Sequence, residues 1–511
     1  MNIPLVYITD KGEKMDKSGR KILVFMLLLG ISAFVPDQGS LNAKVQDNSY
    51  SPAEKLSRNK LQEDFSVIRA SFEEGHGALY RYSIKEEMDV LFDAAFEKID
   101  SDMTEREFLR ILLPAVGAVN CGHTNVQNSR FITWLESQPV TFPLGIRYLN
   151  RKPYLVRNYS ENMDIPMGSE LVSINGIPMD RIISELLPAI SSDAHIETSK
   201  YLVLSSSTRF SHLFNIFFGI TTSYKVEYKN AKTGKIESVM LEGMKQKDVL
   251  ETFQKRYPNL NKTLPLLSFH EVEGVPVLTI LTFSSNALKR EGFDYPEFLK
   301  KIFQQLVEKK SPSLIIDLRD NGGGSDDYGK ILFAHLAEKD FRYYAALEIK
   351  NNTFDFFKHT NLPKDQWTFP ENRVKKNERG WYDALAHPNL GVQKPIKPIY
   401  KGNVFVLING RSFSATGETT SLMHYQKKAV FVGEECGAGY YGNTSGFMVV
   451  VNLPHSRIGV SVPLVRYSMA VDDYPKDRGI IPEFPFEPTV EDVLSNRDSL
   501  LLYAIDLAKK K

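Results

Sequence analysis

Leu314-Ile315-Ile316-Asp317-Leu318-Arg319-Asp320-Asn321-Gly322-Gly323-Gly324 is the stretch on which the fold turns. The nearly continuous apolar run at its start is what a strand buried on both faces requires. Three glycines then permit positive φ angles and expose backbone N–H groups. Tyr328, Ile331, Leu332, His335 and Leu336 follow at helical spacing. The strand–turn–helix pattern recurs in Val404–Ile408, the turn Asn409–Phe413 and a helix from about Ala415, closed by a strand at Ala429–Val432. Repeated units of this kind predict an α/β core over residues 247–511. Within it, residues 340–400 hold Tyr343, Tyr344, Phe354, Phe356, Phe357, Trp367, Phe369, Trp381 and Tyr382. Such a segment is either an insertion packed on the core or a lid walling a substrate site.

The chain ahead of the core changes character twice. Residues 58–120 are helical in pattern, with Leu61, Phe65, Ile68 and Phe72 on one face and Met88, Leu91, Phe92, Ala95, Phe96 and Ile99 on another. Thr104 and Glu107 have capping-box spacing. A helical N-terminal domain is expected over 44–137. Residues 138–246 alternate short β-like runs with turns, and Asn175-Gly176 between apolar runs is a hairpin signal. Further upstream, Lys17, Arg20 and Lys21 precede the apolar run Ile22–Val35. This reads as a secretory signal within residues 1–43, cleaved after Ala33 or Ala43, with an uncleaved anchor as the alternative. The run is short beside the roughly 20 residues that span a bilayer. The stretch ahead of Met15 is an odd extension for a signal, which makes Met15 the expected start. An exported protein is expected either way, periplasmic or membrane-tethered and facing outward.

Bulk composition excludes several classes. Lys+Arg total 63 against Asp+Glu 62, a net charge of +1, so no long-range field gathers nucleic acid. With only two cysteines, Cys121 and Cys436, a disulfide-built scaffold is out. The two could form one bridge tethering the loop around residue 121, or be unrelated buried thiols. Neither HExxH nor another regular metal-ligand spacing occurs, so no metal and no cofactor are expected. G-x-S-x-G is also missing, which disfavours an α/β-hydrolase esterase.

The glycine turn at a helix N-terminus suits a phosphate or a transition-state oxyanion. Gly324–Lys330 approaches the phosphate-cradling motif, but Ile331 stands where a magnesium-binding hydroxyl belongs and Asp326 and Asp327 would repel phosphates. The second turn places Ser414 between strand and helix, beside the N–H of Ala415. A nucleophile next to an oxyanion donor is what acyl transfer needs. A serine there is also an ordinary N-cap, as Ser412 could be. Of ten histidines, His123 stands apart, in the glycine-containing turn Cys121-Gly122-His123-Thr124. It either projects into a cleft or is an exposed polar residue.

Together these segments resemble the tail-specific, or C-terminal-processing, serine proteases. The glycine segment 314–324 is similar to that family's hallmark, and Ser414-Ala415 with Ala429–Glu434 to its nucleophile region. Gly168–Gly176 resembles its PDZ-like module, Cys121–Thr124 the glycine-histidine-threonine motif of its tricorn-core-like branch, and Gly479–Glu483 its closing segment. The resemblance implies a crotonase-like α/β core, a PDZ-like β domain over 138–246 and a helical cap. It implies an endopeptidase acting through an acyl-enzyme on Ser414, with His123 as base and oxyanion donors at Gly323 and Ala415. The family's alternative lysine base is excluded, since Cys436–Leu453 contains no lysine. The histidine branch adds a serine before the histidine, here Gly122, and an acid late in the chain. Asp472, Asp473 and Asp477 are available, and Asp477 is chosen as nearest the closing glycine. Glu418 lies four residues after Ser414, where the lysine branch has a glutamate at three. The expected partner is a peptide or protein substrate, held through its C-terminus by strand addition to the PDZ-like module near Gly168 and Leu171-Val172. The competing reading is a non-catalytic peptide-binding protein on the same fold.

Overall fold

The computed structural model describes residues 50–260 and 264–510. The apolar run Ile22–Val35, the start at Met15 and both cleavage positions lie outside the described residues. No helix among the described residues is long and apolar enough to cross a membrane.

The quoted run forms the strand Ser313–Asp317 at the centre of a six-stranded sheet. Its order is Leu267–Val272, Val275–Ile280, Ser313–Asp317, Asn403–Ile408, Val430–Gly433 and Phe484–Pro485. The first pair is antiparallel and every later pair is parallel. Alternate side chains serve opposite faces. Leu314, Ile316, Val404, Val406 and Ile408 pack under Leu332, Phe333, Leu422 and Met423 of two helices. Ile315, Phe405, Leu407 and Val432 meet Leu500, Ala504 and Ile505 of the C-terminal helix Ser499–Lys510. Covering both faces is why these strands read as unbroken apolar runs rather than alternating ones.

A second sheet is antiparallel and has the order Val374–Lys376, Tyr382–Ala384, Tyr344–Ile349, Gly459–Met469 and Thr444–Asn452. The aromatic segment 340–400 therefore supplies strands to this sheet, and Phe354, Phe356 and Phe357 sink into a core shared with the N-terminal helices. It is built into the molecule as packed structure. A third sheet, also antiparallel, runs Leu144–Leu149, Lys152–Asn158, Glu170–Ile174, Ser223–Lys229 and Ile236–Glu242. The Asn175-Gly176 turn takes positive φ at both residues, 52° and 76°, and Ile174 pairs with Ile177. That is the primed hairpin geometry its sequence demands.

The N-terminal helices Arg58–Gly75 and Lys85–Glu97 bury the expected faces, except that Leu91 is exposed. Thr104 caps the helix Glu105–Gly117: its Oγ1 accepts the Glu107 N–H, and its own N–H donates to Glu107 Oε2 at 2.8 Å. One apolar cluster joins Leu61 and Phe65 to Leu155 and Tyr224 of the third sheet and to Val460 and Val462 of the second. The helical cap thus shares its core with both antiparallel sheets. The chain leaving that helix adds the short strand Val126–Asn128 to the edge of Gly459–Met469. This pairing fixes the loop between residues 118 and 125.

Candidate active site

Asp317 and Leu407 are register partners on adjacent parallel strands, so the turns after them emerge side by side at the carboxyl ends of the sheet. Open α/β sheets place their ligand sites at this edge. The two turns are bonded together. Phe413 N–H donates to the Asn321 carbonyl at 3.0 Å, and Asp320 N–H to Asn409 Oδ1 at 3.1 Å. Ser412 Oγ donates to the Leu318 carbonyl at 2.9 Å while accepting the Asn409 N–H. Its hydroxyl is consumed in joining the turns, which separates it from Ser414.

Ser414 has φ 57° and ψ −128°, a conformation that L-residues rarely adopt, and precedes the helix Ala415–Tyr425. Holding a non-glycine residue there costs about 1–3 kcal/mol and requires surroundings that over-determine it. The turn aims Oγ at His123, whose Nε2 lies 3.2 Å away across 291 residues of sequence. Both groups are buried, Ser414 at 5% exposure and His123 at 4%. The His123 ring rests on Phe413, centroids 4.6 Å apart. Burial lowers His123 to about 4. The imidazole is therefore neutral at physiological pH and able to accept the serine proton.

Gly122 explains one departure from the family pattern. A Cβ at this position would come within 2.6 Å of the Phe413 ring. The serine expected before the histidine has no room, and the Gly122 N–H donates instead to Asp193 Oδ1 at 2.8 Å. Behind the loop, His76 Nδ1 accepts the Ala78 N–H, so its Nε2 donates to Thr124 Oγ1 at 2.8 Å.

Ala415 is the first helical residue, so its N–H has no intrahelical partner. It is placed as the expected oxyanion donor. Gly323, the other expected donor, lies against the Ser414 turn, but its N–H is not free. A Cβ on it would meet Ser414 Cβ and the Phe413 carbonyl at 2.8 Å, so glycine is needed for the close approach. Its N–H, however, donates to Asn321 Oδ1 at 2.9 Å. The polar turn side chain has captured the amide that was to face the substrate. Gly322 faces open space instead.

Asp477 is not brought to His123. It is exposed, and its carbonyl accepts the His195 N–H at 3.3 Å. Among the described residues its carboxylate makes no hydrogen bond or ion pair with His123. The buried acid beside the histidine is Asp193, 2% exposed, which no motif marked. It sits in the polar stretch Ser191-Ser192-Asp193 ahead of the helix Thr198–Leu204, where no sequence signal singles it out.

Glu418 lies one turn into the nucleophile helix, buried, accepting from Tyr344 Oη and Asn443 Nδ2 at 2.7 Å each. Burial and nearby Asp326 push it up to about 8. It ties the aromatic segment to this helix. Cys121 and Cys436 are both free, and burial pushes each thiol up to about 12. Donor atoms of Cys121, His123 and Asp193 lie within 4.8 Å of one another.

Residues 275–485 match Peptidase family S41. The chain carries an S41 peptidase domain. That domain contains the glycine turn, Ser414 and the closing glycine, so the family match falls on the segments whose sequence resembles the tail-specific proteases. The whole chain is similar to mature CPAF, at 15% identity over 88% of this chain and 96% of that one, with a TM-score of 0.57. CPAF complexed with lactacystin gives 15% identity, 88% and 98% coverage, and 0.58. The photosystem II D1 C-terminal processing protease gives 14%, 86% and 96%, at a TM-score of only 0.38. No curated protein sequence matches the chain.

The strain at Ser414 can be measured. Ser414→Gly and Ser414→Ala both remove the hydroxyl, but only glycine relaxes the positive φ. Ser414→Gly is expected to be the more stable of the two by about 1 kcal/mol in denaturant unfolding. An alanine variant of equal or greater stability would contradict the strained turn.

Proposed function

We propose that the S41 domain is an active endopeptidase of the histidine-dependent type, cleaving exported proteins through an acyl-enzyme on Ser414. The observation that carries this reading is the 3.2 Å approach of His123 Nε2 to Ser414 Oγ. Bringing a neutral imidazole to a strained serine at a helix N-terminus has no structural use that an ordinary cap would not meet more cheaply. Ser414 Oγ attacks the substrate carbonyl as its proton passes to His123 Nε2. The Ala415 N–H receives the developing oxyanion; one such donor is worth about 2.7–4 kcal/mol. The amine leaves with the proton from His123, and water repeats the sequence to free the enzyme. Gly323 joins as a second donor in this scheme only if its N–H turns from Asn321 toward the substrate.

We assign residues 44–137 as the helical cap, 138–246 as a PDZ-like module and 247–511 as a crotonase-like core. The closing sheet edge Ile236–Glu242 exposes Ile236 and Met240, which suits strand addition by an extended peptide. Gly168, first chosen as marking that site, is covered instead: a Cβ there would touch Leu494 and Val490. The short helix Val490–Ser495 occupies that face. Export rests on the sequence of residues 17–35, and N-terminal sequencing of the mature protein tests it.

Ser414→Ala and His123→Ala are each expected to lower peptide cleavage by about 10⁴–10⁶-fold while the circular dichroism spectrum is retained. Normal turnover by the serine variant rules the mechanism out; normal turnover by the histidine variant alone calls for another base. In wild type, burial of His123 puts the acid limb of kcat/KM below the usual histidine value of ~6.5, activity being lost as the pH falls through it. Ile236→Lys with Met240→Lys is expected to raise KM for protein substrates and leave kcat unchanged. An unaltered KM would move the docking edge elsewhere.

A further inference from the structure

The reaction requires His123 to become a cation at a place nearly closed to water. An isolated imidazolium there is strongly disfavoured. Unless an anion stands close by, the proton transfer from Ser414 runs uphill by the whole desolvation penalty. The acid expected to meet this need, late in the chain, is exposed and directed elsewhere.

Asp193 has the required place. It is buried, and one of its carboxylate oxygens lies within 4.8 Å of a ring nitrogen of His123. Oδ1 accepts the N–H of Gly122, the residue bonded to His123 in the chain, at 2.8 Å. Oδ2 accepts the N–H of Gly439 at 3.3 Å. The Ala194 N–H donates to the Asn120 carbonyl at 3.1 Å, a second tie between the two loops. These are neutral donors, so the carboxylate keeps its charge for a neighbour rather than spending it in a close ion pair. The groups around it are Arg81, Tyr82, Cys121 and Cys436, and His76 lies near His123. Arg81 donates to the carbonyls of Gly442 and Tyr467 at 2.6 and 2.9 Å, which holds its charge away from a direct bond to Asp193. Glycine at 122 is required by the Phe413 ring, and its backbone amide is the group that Asp193 holds.

We propose that Asp193 is the positioning acid of this active site: its carboxylate holds the histidine loop through Gly122 and stabilises the His123 imidazolium formed as Ser414 attacks. The proposal rests on the Ser414–His123 reading. It replaces an acid from the end of the core with one from the middle domain, and so makes the middle domain a contributor to the reaction and not only to substrate capture. Asp193 itself takes no proton from the substrate. The proton moves from Ser414 Oγ to His123 Nε2 and on to the leaving amine, with the aspartate charge unchanged throughout. Burial raises Asp193 to about 6, so the ionised form this role needs prevails at neutral pH and above.

The test compares Asp193→Asn, Asp193→Glu, Ser414→Ala and wild type as full chains, recording kcat/KM against pH. Asparagine removes the anion. It is expected to lower kcat/KM about 10²–10⁴-fold, with the larger loss in kcat. It is also expected to move the acid limb to lower pH, because activity no longer depends on Asp193 ionising near 6 and the limb then follows His123 alone. Asp193→Glu should recover part of the rate and of the limb. A purely structural acid would lower activity without moving the limb. Asp193→Asn with wild-type rate and limb overturns the proposal while Ser414→Ala remains inactive. If Ser414→Ala also cleaves normally, the parent reading has failed instead. Should Asp193→Asn not fold, histidine ring NMR on the folded Ser414→Ala chain decides. The His123 signal is expected to show a second inflection as Asp193 ionises, and a single inflection overturns the proposal.

Discussion

The hydrogen bond between His123 and Ser414 joins two residues 291 positions apart in the sequence. Its formation depends on three separate constructions. Parallel pairing of Ser313–Asp317 with Asn403–Ile408 sets the glycine turn beside the nucleophile turn. The short strand Val126–Asn128 anchors the histidine loop to a second sheet. Gly122 leaves space for Phe413, on which the imidazole rests. Each lies on a different element, so the site exists only in the assembled fold. A bond of 3.2 Å between buried groups is worth about 0.5–1.5 kcal/mol to stability. That is too little to hold these elements together, and the extensive apolar clusters behind them do so instead.

Burial decides the chemistry of the site. It keeps His123 uncharged in the resting state and raises Asp193, Glu418 and both thiols. The same low polarity strengthens the Ala415 amide as an oxyanion donor and makes a fixed anion near His123 valuable. The aromatic segment contributes to this dryness. Tyr344 bonds Glu418 and Asp326, and Tyr343 meets Thr419, so the aromatic segment packs against the helix Ala415–Tyr425.

The core was legible because its strands are buried on both faces and its turns are rich in glycine and asparagine. Those features follow from local sterics, and so the runs at 314–318 and 404–408 led directly to sheet, turn and helix. Ser414 and His123 could be singled out only by joining local geometry to family resemblance. Residues whose roles depend on tertiary approach were less accessible. Gly323 has the right position, but its amide is taken by Asn321, a competition invisible in the sequence. Asp193 belongs to the middle domain and carries no motif. Asp477, the acid nearest the closing glycine in sequence, lies at the surface of the fold. Gly168, expected near the peptide site of the PDZ-like module, packs instead against Val490 and Leu494 of the helix Val490–Ser495.

The most direct measurement is covalent labelling by a fluorophosphonate, with the modified residue located by mass spectrometry. The account predicts a single adduct on Ser414, formed at neutral pH and abolished by His123→Ala. Absence of any adduct on the folded wild-type chain, or an adduct on Ser412 or another serine, would contradict it.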